Sequence, residues 1–287
     1  MDEFSFIAEY LAPLAAPTAH GLSDDGATLP PVPDGQEWRI STDTLVAGVH
    51  FRETDSLQDV GYRALAVSVS DLAAQLAKPA LYLLNLTAPQ STDLKPLVAG
   101  LTEAQGDFGL QLLGGDTTAG PLTLSVSVFG QGEIGLNPLR SGAKVGDRIG
   151  LIYSSPLGAA KAGFEGQEAF CSAFLRPQPC LQVLDAQGIQ DIHAMADVSD
   201  GLLADLGHIC AASKVGAQVW AERLPLALGG PLVPQITWGD DYALVLTAPI
   251  LPDDARHIGQ IIEGQGVKLL NAQGIEIPVE RPGYKHL

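Results

Sequence analysis

The chain has 287 residues, 46% of them apolar and 17% charged, a composition that supports a sizeable core and excludes intrinsic disorder. With 33 acidic and 16 basic residues the net charge is −17, which argues against nucleic acid as a partner, because Lys and Arg supply most phosphate-backbone binding. Cys171, Cys180 and Cys210 lack CxxC spacing, no apolar run reaches about 18 residues, and the acidic opening MDEFSFIAEYLAPL has neither half of a secretory signal; a cytoplasmic protein with free thiols and no membrane partner is expected.

Leu57–Ala77 (LQDVGYRALAVSVSDLAAQLA) is rich in Ala and Leu with few breakers after Gly61, which predicts a long helix closed by Pro79. Ala80–Leu86 is short and apolar, as a buried strand is. A helix over Asp93–Phe108 is expected next, then a strand Leu110–Leu113 running into Gly114–Gly115. Leu122–Gly130 alternates with the period of a half-buried strand. Gly135–Asp147 breaks the pattern and reads as a connector. The second series comprises strand Arg148–Tyr153, helices Leu157–Phe164 and Cys180–Gln187, strand Ala194–Asp197, helix Gly201–Ala212, strand Tyr242–Ala248, helix Asp253–Glu263 and strand Val267–Asn271. This alternation predicts two α/β domains, residues 1–137 and 138–287.

Aspartates recur beside Gly, Ser and Thr at the edges of these elements: Asp24 and Asp25 in GLSDDGATL, Asp43 in ISTDTLVAGVHF, Asp116 in LLGGDTTAGP, Asp197 and Asp200 in ADVSDGLLADLGH. Taken singly, each also reads as a turn or cap residue. Asp71 is harder to dismiss. It interrupts an Ala/Leu/Val helix, where a carboxylate is costly unless paired or metal-bound, and its neighbours one turn away offer no cation. Arg63, two turns earlier, is the structural alternative. Gly114–Gly115 lets backbone come close to a ligand, yet neither GxxxxGK[ST] nor a kinase signature is present. Bare carboxylates repel polyphosphate, whereas carboxylates bridged by Mg²⁺ bind it, so many aspartates with few lysines suit a Mg²⁺–nucleotide site.

In order, GLSDDGATL, STDTLVAGVHF, GYRALAVSVSDLAAQLAKP, LLGGDTTAGP, LRSGAKVGD, FLRPQP, DVSDGLLADLGH and WGDDYALVLT resemble the thiamine-monophosphate kinase family, within the superfamily of aminoimidazole ribonucleotide synthetase-like ATP enzymes. The resemblance spans nearly the whole chain. It implies a two-domain α/β fold whose N-terminal domains pair in a homodimer through a β-barrel-like interface. It also implies direct transfer of the ATP γ-phosphoryl group to the phosphate of thiamine monophosphate, with several Mg²⁺ ions and no phosphoenzyme. On the matching positions, the metal ligands are Asp25, Ser41, Thr42, Asp43, Asp71, Asp116, Asp197 and Asp200, of which Asp43, Asp71 and Asp116 serve catalysis. Gly115, Asp116, Arg140 and Ser199 fall on the ATP side. His50, Asp240 and Arg281 fall on the acceptor side.

The chain departs from the family pattern in three places. Asp240 stands where the family has glutamate, one methylene longer. Trp238 replaces a glycine, and would either close off the site or stack on a ring. Arg281 occupies an aromatic position, with Tyr284 as the retained aromatic. Two alternatives follow: another ATP-dependent enzyme of the superfamily, or a non-catalytic binder of nucleotide or thiamine phosphate.

Overall fold

The structure, a computed structural model, describes residues 3–24 and 26–285. The chain divides into two compact units, Met1–Leu72 with Ala77–Ile134, and Ala73–Leu76 with Gly135–Leu287. Among the described residues, no helix is long and apolar enough to cross a membrane, and all three cysteines are free thiols.

The first unit is built on a four-stranded sheet. Strands β1 (Gln36–Val46), β2 (Lys78–Ala88), β3 (Gln111–Ala119) and β4 (Thr123–Glu133) lie in the order β1-β4-β2-β3. β4 runs antiparallel to β1 and β2, and β2 pairs parallel with β3. The parallel pair needs a crossover, supplied by helix α2 (Lys95–Phe108), which stops at Gly109 in the left-handed conformation, φ 70°. Helix α1 (Leu57–Ala74) buries Leu65, Val69 and Leu72 and ends three residues before the predicted boundary, where Leu76 turns left-handed at φ 51°. β1 has no counterpart in the predicted elements, because its run Ser41-Thr42-Asp43-Thr44 is polar on both faces.

Register sorts the polar residues of this sheet. Asp43 pairs with Val126, Val126 with Leu84, and Leu84 with Gly115. The adjacent row is Thr44, Ser125, Asn85 and Asp116. Successive side chains in a strand point to opposite faces, so Ser41 and Asp43 share one face while Thr42, Thr44 and Asp116 belong to the other. α1 lies on the first face, since the Ser41 hydroxyl donates to the Asp71 carboxylate.

The second unit holds a six-stranded sheet: β5 (Arg148–Ile152), β6 (Ala194–Asp197), β7 (Gly216–Trp220), β8 (Leu244–Ala248), β9 (Arg256–Ile262) and β10 (Gly266–Leu270), in the order β10-β7-β9-β5-β8-β6. Two helices matter for the site, α3 (Ala159–Phe164) and α4 (Leu202–Ser213). α4 buries Leu202, Leu206 and Ile209 in a core shared with Ile149, Leu151, Val219 and Val245. The last turn of α1 belongs to this unit: Ala73, Ala74 and Leu76 pack with Ile152, Cys180 and Leu244.

Two predicted helices are overturned. Asp253–Glu263 contains the strand β9, hydrogen-bonded to β5 on one side and β7 on the other. Ile258 and Ile261 mimic a helical i, i+3 pair, but burial between two neighbouring strands decided the conformation. Cys180–Gln187 holds only a 3-10 turn, Leu181–Asp185, hemmed between Pro179 and Gly188.

Candidate active site

In the first unit, the α1-covered face gathers Ser41, Asp43 and Asp71. Ser68, one turn before Asp71 on α1, donates its hydroxyl to the Ala64 carbonyl and lies near enough to Asp43 to lower its pKa. The Asp43 oxygen Oδ2 is buried and has no hydrogen-bond partner. Burial, and next the Asp71 charge, push the Asp43 carboxyl up to about 6, against the lowering by Ser68. A buried carboxylate beside a second one, with an orphaned oxygen, costs free energy in the isolated protein. Every donor in the group is a hard oxygen, so the residues fit Mg²⁺, which favours carboxylates and leaves room for phosphate and water. Asp71 accepts a hydrogen bond from the Ser41 hydroxyl across the gap between strand and helix.

Gly115 and Asp116 lie elsewhere in the same unit. Both are exposed on β3, the opposite edge of the sheet from β1. Three strand spacings separate the edges, roughly 14 Å. Asp43 and Asp116 of one chain therefore do not meet on one ion. Gly115 passes so near β2 that a Cβ there would lie 1.8 Å from the Leu84 carbonyl oxygen, which is why the position demands glycine. Gly115 and Asp116 instead border a cavity of about 460 Å³ whose walls include Leu11, Leu22, Leu83 and Phe129. Thr42 accepts a hydrogen bond from Ser127 and donates to the Val126 carbonyl on the face opposite α1. His50 accepts the Val46 N–H at Nδ1. Asp25 lies outside the described residues.

The second unit assembles a second acidic group by stitching two loops together. β6 ends on Asp197 and the β6–α4 loop carries Ser199 and Asp200; the loop before β8 carries Trp238, Asp240 and Tyr242. Asp240 N–H donates to the Ser199 carbonyl at 2.8 Å, Tyr242 N–H to Val198 at 2.9 Å, and Val198 N–H returns to Ala243 at 2.8 Å. Gly239, at φ 94°, crosses so close that a Cβ would sit 2.4 Å from the Ser199 oxygen. Asp240 (φ 58°) and Tyr242 (φ 47°) are left-handed as well, a conformation costing about 1–3 kcal/mol per residue and held only where neighbours over-determine it. Asp197 is buried, Asp200 half-buried and Ser199 exposed.

Three further side chains, Asp205, Asp241 and Tyr242, organise this group. Asp205 Oδ2 accepts the N–H groups of both Asp200 and Gly201 at 3.1 Å, fixing the loop that presents Asp200. Burial, and next the Asp200 charge, push its carboxyl up to about 7. Asp241 accepts the Gly158 N–H at the start of α3 while its second oxygen is buried without a partner; burial drives its pKa well up. Tyr242 donates its hydroxyl to the Asp240 carboxylate at 2.8 Å. An acid in the first turn of the helix after Ser-Asp-Gly was the one visible signal for Asp205.

Arg140 is exposed on the turn Arg140–Gly142, which Ser213 fastens by donating to the Arg140 carbonyl and accepting the Ala143 N–H. Its positive charge acts on Asp205. Arg281 is exposed, while Tyr284 N–H bonds the Asp200 carbonyl, so the segment after Arg281 docks on the Asp200 loop. Trp238 packs among the protein's own rings, 5.4 Å from Phe164 and 6.2 Å from Phe174.

This fold and its oxygen-rich sites define the class. Residues 23–134 match the family described as AIR synthase related protein, N-terminal domain, and residues 144–267 match AIR synthase related protein, C-terminal domain. Thiamine-monophosphate kinase from Caulobacter vibrioides is 35% identical, over 99% of this chain and 90% of its own length. The crystal structure of thiamine-monophosphate kinase from Stenotrophomonas maltophilia superposes with a TM-score of 0.81 at 33% identity, covering 94% of this chain and 96% of that one. AaThiL complexed with AMPPCP and TMP superposes with a TM-score of 0.78 at 28% identity, over 99% and 97%. The chain belongs to the thiamine-monophosphate kinase family.

Proposed function

We propose that this protein transfers the γ-phosphoryl group of ATP to the phosphate of thiamine monophosphate, giving thiamine diphosphate and ADP. The observation that carries the reading is the Ser41–Asp43–Asp71 group, with a buried, unpartnered Asp43 oxygen in a chain of the thiamine-monophosphate kinase family. An oxygen of the acceptor phosphate attacks the γ-phosphorus in line, and the bond from that phosphorus to the ADP oxygen breaks. The acceptor is already an anion, so no strong base is required; positioning and charge neutralisation carry the rate. Bound Mg²⁺ supplies that neutralisation, held by Asp43, Asp71 and Ser41 in one group and by Asp116, Asp197 and Asp200 in others, with Thr42 and Asp25 completing the set. The apolar cavity beside Gly115 and Asp116 suits a nucleotide base next to its phosphates. Arg140 and Ser199 serve the nucleotide, and His50, Asp240 and Arg281 the acceptor.

A homodimer belongs to the same reading. β1 and β3 are both edge strands, and unpaired edges invite a further strand. Joining β3 of one copy to β1 of another closes eight strands into a barrel and brings the Gly115–Asp116 edge of one copy next to the edge strand that carries Asp43 in the other. Thr42, Thr44, Ser125 and Ser127 leave this part of the face opposite α1 uncharged. Residues 1–137 are assigned nucleotide, metal and pairing roles, and residues 138–287 carry the second acidic group. Free thiols support a cytoplasmic location.

The test is direct. The purified protein, incubated with ATP, MgCl₂ and thiamine monophosphate, should form thiamine diphosphate stoichiometrically with ADP. ATP binding without thiamine diphosphate formation sinks the assignment and leaves the binder or a different acceptor. Sedimentation should give twice the chain mass of 30.0 kDa.

A further inference from the structure

We infer that Tyr242 is a positioning residue for the acceptor: its hydroxyl aims the shortened carboxylate of Asp240 at the thiamine phosphate. The inference rests on the reading of Asp240 as an acceptor contact.

Asp240 has one methylene fewer than the glutamate expected at its position, so its reach depends on the backbone that carries it. That backbone is unusual. Gly239, Asp240 and Tyr242 all have positive φ, at 94°, 58° and 47°. Two of the three are not glycine, and one is an aromatic residue, for which this conformation is a genuine outlier. Strain of this kind persists where the surroundings impose it, and it clusters at working sites.

The surroundings are in place on both sides. Asp240 and Tyr242 each donate a backbone bond to the Ser199 loop, at 2.8 and 2.9 Å. Asp241, between them, turns the opposite way and accepts the Gly158 N–H at 2.8 Å. The loop is therefore clamped between α3 and the Asp197–Asp200 loop. Adjacent carboxylates diverge: Asp241 anchors, and Asp240 points toward Tyr242.

The backbone turn in left-handed φ bends Tyr242 back over its own loop, so that its hydroxyl donates to Asp240 Oδ1 at 2.8 Å. The ring itself is buried, with 7% of its surface exposed, and cannot swing away. Charge-assisted hydrogen bonds are about twice as strong as neutral ones and are directional. The phenol thus fixes one carboxylate oxygen and so orients the group toward the hydrogen-bond-donating or cationic part of the acceptor.

Tyr242→Phe removes the hydroxyl and keeps the ring. Initial rates should show the KM for thiamine monophosphate rising on the order of tenfold, with kcat and the KM for ATP little changed. Asp240→Asn should raise the same KM, and the double variant should match Asp240→Asn rather than multiply the two effects. That non-additivity is what a merely structural tyrosine does not produce. If Asp240→Asn raises the acceptor KM and Tyr242→Phe leaves it alone, or lowers kcat and both affinities together, the role of Tyr242 is overturned and that of Asp240 survives. If neither variant moves the acceptor KM, the Asp240 reading falls and the inference falls with it.

Discussion

The two acidic groups of this protein are held by different means. In the first unit Asp43 and Asp71 stand on regular elements, a strand and a helix, and are held by burial and, at Asp71, by the hydroxyl of Ser41. In the second unit Asp200 and Asp240 stand on loops, fixed by backbone bonds, by Asp205 and Tyr242, and by left-handed residues. The first arrangement stores its cost as crowded charge that a cation relieves. The second stores it as backbone strain that the fold itself maintains. Cation binding should therefore alter the stability contributed by the first group far more than that contributed by the second.

The largest effect expected is on the first group. Asp43→Asn or Asp71→Asn should lower kcat on the order of 10³-fold, as removal of a group that stabilises transferring charge does. Melting in metal-free buffer near pH 7.5 should be unchanged or a few degrees higher, because crowded charge is removed. A marked loss of stability would return Asp71 to a structural role.

Next comes pH. An acid whose folded pKa exceeds its unfolded value binds an extra proton in the folded state between the two, so stability falls as pH rises through that window. For Asp43 the window runs from 3.8 to about 6, and for Asp205 from 3.8 to about 7. Metal-free protein should lose roughly 1–3 kcal/mol per group from pH 4 to 7, measured by urea unfolding. MgCl₂ should flatten the Asp43 part, and Asp43→Asn should remove it. An identical slope in that variant would break the contrast between the two groups.

Asp205→Ala frees the Asp200 and Gly201 N–H groups, and kcat/KM for ATP should fall about 10- to 50-fold, near 2 kcal/mol. Asp205→Asn, whose amide oxygen still accepts, should recover most of it. Equal damage from both would mean that the charge of Asp205, and not its hold on the loop, is what the site uses.

The smallest effect on catalysis is expected at Trp238. Trp238→Ala should cost about 1–3 kcal/mol of stability by stripping Phe164 and Phe174 of a partner, with the acceptor KM nearly unchanged. A large rise in that KM would restore the ring to the acceptor site.

Much was legible in the sequence, and the reasons are local. The Ala/Leu run of α1 with one aspartate, the alternation in β4 and the Ser-Asp-Gly before α4 each write their structure in consecutive residues. The order of motifs carried the family. What failed needed distant partners. β9 took its conformation from β5 and β7, and β1 hid a strand in polar residues. Asp71 is bound by Ser41, 30 residues away in sequence, a partner that no local pattern names.

The sequence by itself determined which chemistry is available: hard oxygen donors, few cations, two α/β series and a glycine-lined acidic turn. Tertiary structure alone decided which donors share a site. Strand register put Asp43 and Asp116 on opposite faces and edges of one sheet, because alternation and a fixed strand spacing leave no other choice. It also decided that Asp205 and Tyr242 matter, since a hydrogen bond depends on where two chain segments meet, and residue types in order do not state that.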